Sequence, residues 1–247
     1  PISGLTEARA CRDISVLIGH CVIAGLDGRD GRFAEAFAEL GEAERLMHIW
    51  DVPPIYYLAM ITLVKCELWL LQGRIDLAEA WLVRLAQTYG GDQAAAAPEC
   101  HPQLPQHIEL QRAVLERIQG LLPESEQRLL ALEQQAQNTG AHSIYVAALT
   151  QQILPLLGTA REAQARTLLT RSLQAATGGA LLPFYWLVSG HPDWLREQLL
   201  QSAPGVVRDS LLERLPPAVA LREPCEPLHC AEQLSARELA VLQLIAQ

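Results

Sequence analysis

The sequence predicts an all-α fold, a superhelical array of antiparallel helix hairpins. Three observations lead there. Half of the 247 residues are hydrophobic while only 5% are aromatic, and Leu and Ala, the strongest helix formers, carry most of the apolar content. No run alternates β-branched residues as a half-buried strand requires. Four stretches also share one grammar, an apolar helix, a glycine-containing break and a second helix with small residues near its start: DGRFAEAFAEL, QGRIDLAEAWL, QGLLPESEQRLL and LGTAREAQARTLL. Their glycines, Gly31, Gly73, Gly120 and Gly158, recur about every forty residues, the period of helical-hairpin arrays.

Each hairpin follows from that punctuation. The first helices are expected over Asp13–Leu26, Ile55–Gln72, Pro105–Gln119 and His142–Leu157. Each ends where a glycine adopts positive φ at little cost. The second helices are expected over Arg32–Trp50, Ile75–Tyr89, Pro123–Thr139 and Ala160–Ala176. Ala36, Ala78 and Ala163 are placed where the second helix approaches the first, since small side chains let two axes come together while larger neighbours interdigitate. One hairpin cannot bury its own apolar face, and stacking completes the core. Three shorter helices follow, over Ala180–Val188, Asp193–Leu200 with Pro192 at its start, and Val206–Leu215.

Two segments interrupt the pattern. Residues 88–106, TYGGDQAAAAPECHPQLPQ, are longer than a usual connector and read as a surface insertion or, alternatively, as a lid or partner-binding loop. Residues 215–233, LPPAVALREPCEPLHCAEQ, are proline-rich and read as a linker. The array domain is thus 1–215, the linker 216–233, and a last segment, 234–247, begins a new helix. There Ser235 and Glu238 have the spacing of a capping box, and Leu239, Leu242 and Ile245 recur at helical spacing.

Composition excludes several functions. The formal charge is −9 and Lys65 is the one lysine, so there is no basic stripe to supply the phosphate contacts on which nucleic-acid affinity rests. The six cysteines show no repeated spacing. Cys21 and Cys66 sit in apolar helical runs as small hydrophobes, which suits a reducing cytoplasm. Cys225, His229 and Cys230, with or without Cys100 and His101, lack the paired spacing of a zinc site. No apolar run has membrane-spanning length and no signal peptide opens the chain. Acids and bases are scattered along helix surfaces, with no nucleophile elbow and no HExxH, so an enzyme is not expected.

The segment LSARELAVLQLIAQ, residues 234–247, resembles the opening of a LuxR-type helix-turn-helix domain, through Leu234, Ser235, Arg237, Glu238, Val241 and Leu242. The array before it resembles the tetratricopeptide-like sensor domain of the large ATP-binding LuxR-type regulators, the group that includes the maltose regulon activator. The resemblance implies an ATPase domain before residue 1, where ATP would bind, and a complete DNA-binding domain after residue 247. The opening PISGLTEAR reads as the interior of a longer chain. The present chain contains neither a GxxxxGK[ST] phosphate loop nor a recognition helix, so cofactors are expected in the absent domain and DNA binding only in the full-length protein.

In tetratricopeptide-like arrays, ligand contacts come from fixed positions on the first helix of each unit. With the break glycine as position 15, the second and ninth positions face the groove. They are Met60 and Glu67 in the second hairpin, His107 and Val114 in the third, and Tyr145 and Gln152 in the fourth. Glu67, His107, Tyr145 and Gln152 form a polar set suited to a small hydroxylated or charged ligand, and Trp69 and Tyr57 offer a stacking face. Alternatively these side chains are solvated or satisfied by neighbouring helices. Lys65 pairs with a ligand anion or snorkels along the surface. The expected function is a sensing and oligomerisation module, binding a small-molecule inducer or a regulatory protein in the groove. The rival is a scaffold that takes a peptide or partner helix without a small ligand.

Overall fold

The structure, a computed structural model, describes residues 15–52, 54–90, 95–97, 101–176 and 181–215. Among these the chain forms eleven α-helices and no strand. The fold is the all-α array of antiparallel hairpins that the sequence predicts. Helices α1 (Ser15–Arg29) and α2 (Phe33–Ile49) form the first hairpin, α3 (Pro54–Leu71) and α4 (Ile75–Tyr89) the second, and α5 (Leu104–Ile118) and α6 (Leu122–Thr139) the third. In the fourth, α7 (His142–Ile153) runs into a 3-10 turn, Leu154–Leu156, before α8 (Glu162–Ala175). A second 3-10 turn, Leu182–Phe184, leads into α9 (Tyr185–Gly190), followed by α10 (Pro192–Gln201) and α11 (Val206–Arg214). The expected linker, the LuxR-type segment, Cys11, Cys100, Cys225, His229 and Cys230 lie outside the described residues, as do parts of the 88–106 segment and the side chain of Tyr57.

Three of the four hairpin turns are built alike. The amide of Arg32 donates to the Asp27 carbonyl (2.8 Å), that of Arg74 to Trp69 (2.9 Å) and that of Leu121 to Glu116 (2.8 Å). Each bond spans five residues and closes a Schellman turn over a glycine at φ 79°, 72° and 81°. A side chain at these glycines would meet nothing within 4 Å, so backbone angle and not space selects glycine. The same turn joins α2 to α3, with Asp51 at φ 54° and Val52 donating to Met47. It also joins α6 to α7 through Gly140.

Each first helix packs on its own second helix and on the next first helix, α1 on α3, α3 on α5 and α5 on α7. The core is accordingly a chain of local clusters. One joins Leu17, Ala36, Leu40 and Leu68, the next Cys66, Ala78, Leu82 and Ile108, the next Ala113, Leu129 and Ile144, and the last binds α7 and α8 to α9–α11 around Phe184 and Leu195. Ala36 and Ala78 are fully buried, as expected. The third hairpin uses Ser125 in the same slot, and its hydroxyl donates to the Ala113 carbonyl (2.8 Å), which satisfies a polar group inside the core. In α1, Gly28 allows a close crossing: a Cβ there would lie 2.1 Å from a methyl of Leu68.

The fourth hairpin departs from the expected register. Ala163 is exposed and Ala165 is the buried small residue. The first helix leaves α geometry at the Pro155-containing 3-10 turn. Leu157 is extended, and the Thr159 hydroxyl donates to the Leu156 carbonyl (2.7 Å) while accepting from the Arg161 amide (3.1 Å). This local bonding replaces the Schellman closure and delays the second helix to Glu162. Among the described residues no helix is long and apolar enough to cross a membrane.

Candidate functional site

The first-helix layer does not close on itself. It leaves a chamber of about 380 Å³ between α3, α5 and α7, covered by residues 182–186 and with Arg29 of α1 on its wall. The walls are mostly apolar, from Met60, Leu63 and Val64 of α3, Leu110 and Val114 of α5, and Ile144 and Ala147 of α7, together with Pro183 and Trp186 of the covering segment. The covering segment is held at Pro183, whose carbonyl accepts from the Thr150 hydroxyl (2.8 Å), and at the adjacent Tyr185 and Trp186. The Tyr185 hydroxyl donates to the Arg29 carbonyl (3.1 Å), and the Arg29 guanidinium lies 5.8 Å from the Tyr185 ring centre. The Arg117 guanidinium lies 5.2 Å from the centre of the Trp186 ring. Burial lowers the proton affinity of Arg117, whose Nε and Nη2 have no hydrogen-bond partner, and the indole face offers this cation a favourable contact.

Two polar clusters face the chamber. In one, Arg29 donates through Nη2 to Glu67 and through Nη1 to the Gly25 carbonyl (3.1 Å). Burial pushes the Glu67 carboxyl up, and the Arg29 charge opposes it. In the other, the rings of His101 and His107 stand 4.9 Å apart. Burial, and secondarily the neighbouring His107, pushes His101 down to about 4. Burial also lowers His107, against its contact with the Gln103 carbonyl. A carbonyl only accepts, so the 3.1 Å contact places the proton of neutral His107 on Nδ1 and leaves Nε2 as an acceptor. On the same walls, Oε1 of Gln111 and Oε1 of Gln151 are buried without a partner.

The structure brings Met60, Glu67 and His107 together on this chamber, with Val114 beside them. It places the other three expected residues elsewhere. Trp69 is half-buried on α3 and does not line the chamber; its ring lies 6.3 Å from that of Phe37 in α2. The Tyr145 hydroxyl accepts from Arg171 (2.9 Å). Gln152 is turned to α6 and donates to Glu133 (2.9 Å) and to the Ala148 carbonyl (3.3 Å). With Arg171 also bonded to Glu133, these side chains form a polar tie between α6, α7 and α8. The cause is the fourth-hairpin turn: counting back from Gly158 crosses non-α residues, so the positions that reach the chamber are Ile144 and Gln151, one residue earlier. Lys65 pairs with Glu44 (2.7 Å) across α3 and α2.

Sequence reasoning missed Arg29, His101, Gln111, Ser143, Gln151 and Trp186 on these walls. Gln111 carried a signal, standing one helical turn after His107 on the same face. Trp186 carried none, because it reaches the chamber from beyond the four hairpins. A larger hollow, about 670 Å³, lies between α8 and the α10–α11 corner. It is away from the first-helix layer of the first three hairpins, and its arginines are engaged, Arg166 by Glu162 and Arg208 by Asp209 and the Leu199 carbonyl. The larger hollow also has one unpaired buried polar atom, Nε2 of Gln198; the chamber is the better candidate because its mostly apolar walls carry several unpaired polar atoms together with the two polar clusters. Among the described residues no group of three or more His, Cys, Asp or Glu side chains is placed to hold a metal. In comparisons with protein families, curated proteins and solved structures, nothing matches this chain.

Proposed function

We propose that this array is the sensing module of a cytoplasmic LuxR-type transcription regulator and that its signal is a small molecule held in the first-helix chamber. The observation that carries the reading is the chamber itself: about 380 Å³, within the usual size range of ligand sites, and lined by the repeat positions at which such arrays contact ligands. The LuxR-type opening at 234–247 supports the regulatory setting. An ATPase and a complete DNA-binding domain, to which the signal would pass, belong to the same proposal, as does self-association of the module.

The segment 182–186 favours a small ligand over a peptide. A strand or helix could enter only by displacing Tyr185 and Trp186 from Arg29 and Arg117. A small molecule in the chamber touches three successive hairpins and the covering segment at once. It would therefore favour one arrangement of the array over another, by no more than its differential affinity for the two. Thermal-shift screening of the purified chain against a metabolite library tests this. A stabilising compound is expected, and its effect should vanish in Ala147→Phe, which fills the chamber. If no metabolite stabilises the chain and a purified protein partner does, the scaffold reading replaces this one.

A further inference from the structure

The chamber's chemistry narrows its ligand, granted the sensor reading above. We infer that it takes an uncharged, flat aromatic compound carrying O–H or N–H donors along one edge. Charge comes first. Arg29 and Glu67 neutralise each other across the wall, and neither imidazole carries charge near neutrality. A charged ligand would shed its hydration and find no free counter-ion inside.

Hydrogen bonding sets the polarity of the edge. Gln151 is 5% exposed, yet its Oε1 has no partner, and neither has Oε1 of Gln111; the wall also holds an unpaired donor, Nε of Arg29, but on a guanidinium already bonded to Glu67 and the Gly25 carbonyl. His107 adds an acceptor at Nε2 once Nδ1 is turned to Gln103. Buried acceptors left unpaired destabilise the fold, and a ligand donor would relieve them. Shape follows from the remaining wall, lined by Leu63, Val64, Leu110 and Val114 and by Trp186, which packs against the cluster containing Leu63 and Val114. A polyol would bury more hydroxyls than this wall can satisfy, whereas an aromatic face is matched by aliphatic side chains and an indole. The volume, near the low end for small-molecule sites, suits one or two fused rings.

Calorimetric titration of the full 247-residue chain with four probes tests the assignment: 5-hydroxyindole, its donor-free analogue 1-methyl-5-methoxyindole, the anion indole-3-acetate, and the polyol inositol. The expected result is binding of 5-hydroxyindole at least tenfold tighter than any of the other three. Gln151→Leu and, separately, Gln111→Leu should each weaken it tenfold or more while circular dichroism and melting remain native-like. The half-buried Gln111 keeps the test informative should Gln151→Leu fail to fold. Equal or tighter binding of the donor-free analogue, the anion or the polyol overturns the ligand class. If that binding is lost in Ala147→Phe, the chamber still stands as the sensing site. No binding of any of the four overturns the class as well, and the chamber reading falls only if the wider metabolite library also fails.

Discussion

Removing the guanidinium from Arg29 should show how the chamber tolerates a charge pair in an apolar wall. In Arg29→Met the Glu67 carboxylate loses its counter-ion and keeps its surroundings. At ion-pair contact and an effective dielectric near 20, the attraction has a ceiling of about 5 kcal/mol. Glu67 and Arg29 retain 28% and 19% of their side-chain accessibility, so solvent screens the pair and the expected loss at neutral pH is about 2 kcal/mol. For a domain of this size that is a fall in Tm of about 4–8 °C. Part of it is independent of pH, since Arg29 also donates to the Gly25 carbonyl and contacts the Tyr185 ring.

The ionic part has a signature. Burial raises the Glu67 carboxyl in the folded chain, so the folded state binds that proton more tightly than the unfolded one. The contribution of this group to stability is complete below its unfolded value and is lost as pH rises through its folded value. Without Arg29 the upward displacement grows. The deficit of Arg29→Met relative to the parent should therefore shrink as acid protonates Glu67. Denaturant melts of Arg29→Met, Glu67→Leu and the double variant at pH 7 and at pH 5 form the cycle. The double variant is expected to be more stable than Arg29→Met alone, because a paired charge replaced by apolar groups leaves nothing stranded. Equal deficits at both pH values, with single effects that simply add, would refute the argument that Arg29 is there to compensate Glu67.

The hairpins were legible because their cause is local. A glycine two residues past a helix and a small residue three or four positions into the next helix are sequence events, and Gly31, Gly73 and Gly120 with Ala36, Ala78 and Ser125 carry the same geometry three times. The chamber positions Met60, Glu67, His107 and Val114 followed from that spacing. Tyr145 and Gln152 did not, because Pro155 and Thr159 redirect the fourth turn and slip the count by one residue. Arg29, Trp186 and the pairing of His101 with His107 depend on contacts between distant segments. The Tyr185 hydroxyl and the Arg29 carbonyl are 156 residues apart, and no periodicity within a repeat encodes that meeting.

The two kinds of glycine should respond differently to alanine. Gly73→Ala should cost about 1–2 kcal/mol from the left-handed backbone alone, while Gly28→Ala sets a helix-propensity gain of about 1 kcal/mol against a clash with the buried Leu68 and should be destabilising only if that side chain cannot move; chemical melts compare them, and a stabilised Gly73→Ala would contradict the Schellman account. Ser125→Ala should cost about 1 kcal/mol, since it loses one buried hydrogen bond to the Ala113 carbonyl without removing volume from the core; a loss near zero would mean that packing alone sets this crossing. Tyr185→Phe tests what holds the chamber cover. It deletes one hydrogen bond, worth about 1 kcal/mol net, between α9 and the end of α1, and it leaves the Trp186–Arg117 contact in place. If that bond closes the segment, the loss falls on local opening and not on the whole array. Amides of 185–190 should then exchange about fivefold faster, while those of α3 and α5 keep their rates. An unchanged rate at 185–190 would assign the cover to Trp186 and to the Thr150 bond on the Pro183 carbonyl, and faster exchange throughout would mean that the contact supports the array itself and is not a cover.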